Sequence, residues 1–63
     1  RMTSNNIHNL MSQMTTEQKS LWRIENHYIE EAGTAEERSF WEEMKEDKRA
    51  HIEELKELIK NTL

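Results

Sequence analysis

Glu31-Ala32-Gly33-Thr34-Ala35-Glu36-Glu37 is the stretch that decides the fold. Gly33 is the one glycine in a 63-residue chain that has no proline. Glycine and proline are the strongest breakers of regular structure, so long helices are expected on both sides of it. A glycine suits the left-handed conformation just past a helix end. Thr34 can accept a hydrogen bond from a first-turn amide, and Glu37 can reach back to the Thr34 backbone, which is the capping-box spacing. The stretch therefore predicts a helix over 16–32, a very tight turn, and a second helix over 35–62.

Toward the C-terminus, Trp41, Met44, Lys48, His51, Leu55, Leu58 and Thr62 trace a heptad seam, with Phe40, Ile52 and Ile59 beside it. Glu42–Lys45, Glu53–Lys56 and Glu57–Lys60 are spaced for i,i+3 pairs on the outer face, each worth about 0.2–0.5 kcal/mol. Toward the N-terminus, Ile7, Leu10, Met14, Leu21, Ile24 and Tyr28 fall at helical spacings, with Glu17 interrupting. Thr15-Thr16-Glu17-Gln18 reads as a second capping box, and Ser4-Asn5-Asn6 as another start signal. A short N-terminal helix over 5–14 and a break near 14–15 are therefore expected. The first four residues are expected to fray, and Arg1 ahead of Met2 reads as a cloning remnant.

Composition narrows the function classes. The chain is 33% hydrophobic and 35% charged, so its core must be thin. Residues 1–63 read as a single domain, and a domain of this size buries only about 60% of the surface its unfolded chain exposes. With no cysteine, neither a disulfide nor a thiolate–metal staple can compensate. A net charge of −4 argues against nucleic-acid binding, which needs clustered Lys and Arg. No apolar stretch is long enough for a membrane span and no signal peptide opens the chain, so a cytoplasmic protein is expected.

Both helices carry apolar arcs wider than a two-helix seam: Leu21, Trp22, Ile24, Tyr28 and Ile29 on the first, and Phe40, Trp41, Met44, Ile52, Leu55, Leu58 and Ile59 on the second. Leaving a large apolar side chain in water forfeits roughly 1.5–3 kcal/mol. A second hairpin packed on the first would cover these arcs and make a homodimeric four-helix bundle, with Leu21, Trp22, Tyr28, Phe40, Trp41, Met44, Ile52, Leu55 and Ile59 at the interface. The competing arrangement is a monomer in which the N-terminal segment folds over the hairpin.

One polar layer interrupts the second seam, made of Lys48 and His51, seven and ten residues after Trp41. Both are expected to point into the bundle. In an antiparallel hairpin His51 lies across from Glu17 or Gln18, and Glu25 can reach Lys48. As a structural layer, Lys48 pairs with Glu25 and His51 with Gln18 or Glu17, which fixes register. As a chemical site, Glu17, Glu25 and His51 would hold iron, manganese or zinc. The lysine weighs against a cation, so the structural layer is favoured and no cofactor is expected. His8 and His27 fall on polar positions and read as surface histidines. Ser12, Ser20 and Ser39 have no evident base partner and one glycine cannot build a phosphate loop, so the expectation leans away from an enzyme.

From Leu21 to Leu58 the chain resembles the rubrerythrin and ferritin-like superfamily. The residues that carry the resemblance are Ile24-Glu25-Asn26-His27-Tyr28 on the first helix and Arg38 to Leu55 on the second, ending in Lys48-Arg49-Ala50-His51-Ile52-Glu53-Glu54-Leu55. Members of that family usually carry a metal-binding Glu seven residues before the Tyr and a Glu-x-x-His on the second helix; here Leu21 and Lys48 replace the two carboxylates and only His51 is kept. The resemblance implies half a ferritin-like bundle, completed by a second copy, without ferroxidase or peroxidase activity. The combined expectation is a non-catalytic helical hairpin that acts by self-association or by binding another protein. The alternative is a metal-binding ferritin-like protein using His51 and nearby carboxylates.

Overall fold

The computed structural model describes residues 4–63, all but the turn and the last residue helical, with no strand among them. Helix α1 (Ser4–Arg23) runs into a π-helical turn (Ile24–Tyr28) and a last α turn, α2 (Ile29–Glu31); α3 (Ala35–Thr62) returns alongside them to form a hairpin. The expected fraying at residues 1–3, and the Arg1 remnant, lie outside the described residues, whereas Ser4 already begins α1.

The expected break near 14–15 is absent, and no separate short helix over 5–14 exists. Thr15 is not a cap; its hydroxyl donates to the Met11 carbonyl one turn back, at 3.1 Å. Once a helix is nucleated each further residue adds a backbone hydrogen bond, so a local cap signal yields to propagation when the buried stripe continues through it. Here it does: Leu10, Met14, Glu17, Leu21 and Ile24 are all buried or half-buried.

Thr34 caps α3. Its hydroxyl accepts from the Glu37 backbone N–H at 3.0 Å and donates to Glu37 Oε1 at 3.3 Å. The Glu37 carboxylate reaches back to the N–H of Gly33 at 3.4 Å, one residue earlier than expected. Gly33 is not left-handed, because no described residue has a positive φ. The reversal is made instead by Ala32 (φ −58°, ψ 132°) and Thr34 (φ −140°, ψ 163°), conformations open to any residue.

At the π turn the Ile29 N–H bonds to the Ile24 carbonyl, five residues back, and the Asn26 side-chain amide donates to the Trp22 carbonyl at 2.8 Å. A π turn holds one residue more than an α turn. It lets the buried stripe step from Ile24 to the Tyr28–Ile29 pair, both half-buried, without rotating the residues beyond it. Tyr28 then packs on Trp41, ring centroids 4.9 Å apart. Deleting Asn26 is therefore expected to close the turn as an ordinary α turn and leave the hairpin folded. Deleting Lys19 would rotate everything after it by about 100° and take Ile24 off the seam. Circular dichroism with thermal melting distinguishes the two; equal losses would show that the extra residue has no register role.

The core is Ile24, Ile52 and Ile59, at 0%, 6% and 9% exposure. The line of α3 that packs on the first arm is Trp41, Lys45, Lys48, Ile52, Leu55, Ile59 and Thr62. This corrects the expected seam: His51 and Leu58 are exposed, while Ile52 and Ile59, placed at an oligomer interface by sequence, form the core of the hairpin itself. The two alternative lines share Trp41, Lys48, Leu55 and Thr62 and differ at 44/45, 51/52 and 58/59, so their centres lie about 40° apart around the helix. The rotation observed buries two isoleucines where the other would bury a histidine and a leucine, and so removes more apolar surface from water. The molecule is a thin rod of 48 × 14 × 12 Å. Among the described residues no helix is long and apolar enough to cross a membrane.

Candidate functional site

Glu17 is the one buried charged residue among those described, 7% exposed, and it sits on the inward stripe of α1 where the periodicity calls for an apolar side chain. Its carboxylate is met from both helices. The Lys48 ammonium lies 3.1 Å from Oε1 and 3.3 Å from Oε2. The Gln13 side-chain amide, one turn earlier on α1, donates to Oε2 at 3.0 Å. His51 Nδ1 stands 3.8 Å from Oε1, beyond hydrogen-bond distance, with its side chain 61% exposed. Oε1 is shielded from solvent and has the ammonium beside it without hydrogen-bonding geometry, so the Coulombic contact alone compensates its burial.

Lys48 is therefore paired inward, but with Glu17 and not with Glu25. Glu25 bonds Arg49, which also reaches Glu46 at 3.3 Å, on the other side of the hairpin. The cause is rotation: the inward line of the first arm passes through Glu17, Leu21 and Ile24, so Glu25 is carried past it. Gln18 is displaced the same way and borders a groove with Leu21, Arg49, Ile52, Glu53 and Lys56. Gln13 takes the amide role expected of Gln18. Its signal in the sequence is the i,i+4 spacing to Glu17, which a break at 14–15 would have cut.

Glu17, Glu25 and His51 do not converge, and no three His, Asp or Glu side chains among the described residues could hold a metal ion. The position nearest both Glu17 and His51 already has the Lys48 ammonium, which repels a cation. The donor set does not fit iron, manganese or zinc. What the cluster does chemically is neutralise a buried carboxylate and tie α1 to α3 at one level. The two remaining histidines are exposed: His27 lies against Trp22 edge-on and 3.7 Å from Glu31, and His8 lies 3.3 Å from the Ser12 hydroxyl.

Of the residues expected at an interface, Trp22 and Phe40 remain 57% and 53% exposed, whereas Leu21, Tyr28, Trp41, Met44 and Leu55 are half-buried within the hairpin. An open groove runs along one side of the rod, bordered by Gln13, Glu17, Lys48, His51, Glu54, Leu55 and Leu58, and it continues past Leu10 and Asn6 to Thr62. No family model, curated protein or solved structure matches this chain.

Proposed function

We propose that this chain is a non-catalytic helical-hairpin protein that works by self-association, two hairpins pairing into a four-helix bundle. One observation carries the proposal: a core of three isoleucines coexists with Trp22, Phe40 and Leu58 more than half exposed. The consequence is visible in the surface. The chain exposes 4935 Å², against about 4,300 Å² for a compact monomer of its mass. Its radius of gyration is 14.4 Å, against about 10.6 Å for a compact domain of its length. Association with a second copy recovers apolar burial that the hairpin alone does not achieve, and half a four-helix bundle is also what the rubrerythrin-like resemblance implies.

Sedimentation equilibrium at micromolar concentration tests this. The expected mass is twice 7.6 kDa. A stable, well-folded monomer at that concentration would overturn the proposal.

A further inference from the structure

We draw no further inference here: the strongest candidate, the open groove between α1 and α3 bordered by Leu10, Gln13, His51, Leu55 and Leu58, carries nothing, because its Glu17 and Lys48 already neutralise each other within the chain and nothing in the structure shows what covers it.

Discussion

Replacing Glu17 with alanine is expected to destabilise the hairpin by about 2 kcal/mol, far more than an ordinary surface change of about 0.5 kcal/mol or less. The carboxylate is only 7% exposed and is met by Lys48 and Gln13, so its loss strands an ammonium and an amide together. Breaking one side of a fully buried pair costs about 3–5 kcal/mol. Lys48 is 23% exposed and can swing its ammonium outward, which trims the cost here. The contrasting variant replaces Glu17 and Lys48 together with leucine. It removes both charges along with their desolvation cost and is expected to be neutral or stabilising. Urea unfolding at one fixed protein concentration measures both, since association would shift the midpoint with concentration. An unchanged midpoint for Glu17→Ala would show that the pair contributes nothing to the hairpin. A double variant that unfolds would show that it does more than fix register.

The largest loss is expected at Ile24, the one large side chain of the described residues with no exposure at all. Ile→Ala in a packed core costs about 2–5 kcal/mol, and about 3 kcal/mol is expected here because a thin rod can partly collapse around the gap. A 63-residue domain has a stability on the order of 3–9 kcal/mol, so this one substitution removes a large share of it. Ile24→Val, which deletes one methylene, is expected to cost about 1 kcal/mol and provides the graded control. Thermal melts should therefore rank native, Ile24→Val and Ile24→Ala in that order. Equal melting points for all three would mean that the hairpin is held together elsewhere.

Ile24 and Glu17 also mark the boundary between what is legible in the sequence and what is not. Ile24 is recognisable as an apolar member of a helical stripe. Glu17 reads as the residue that interrupts that stripe, yet in the structure it is a member of it, compensated by a lysine 31 positions away. No local pattern distinguishes an acid that ends an apolar face from one that is buried in it, because the difference lies in what arrives from the other helix. Gln13 is hidden for the same reason. Its importance emerges only once Glu17 is known to be inside.

The all-helical class, the reversal around Gly33 and Thr34, and the Thr34 cap are legible from the residues alone, because each rests on residues within a turn of one another: a chain almost without breakers, and a hydroxyl three residues before Glu37. Packing of the two arms against each other settles that helix α1 runs through Thr15, that a π turn absorbs an extra residue at 24–28, that Ile52 and Ile59 rather than His51 and Leu58 face inward, and that Lys48 pairs with Glu17 rather than Glu25. The reason is common to all four. Backbone hydrogen bonds in a helix close over four residues and are specified locally, whereas the rotation of a helix about its axis is not. It is set by the total apolar area that two helices can bury against each other, and on α3 a rotation of about 40° exchanges one candidate face for its neighbour.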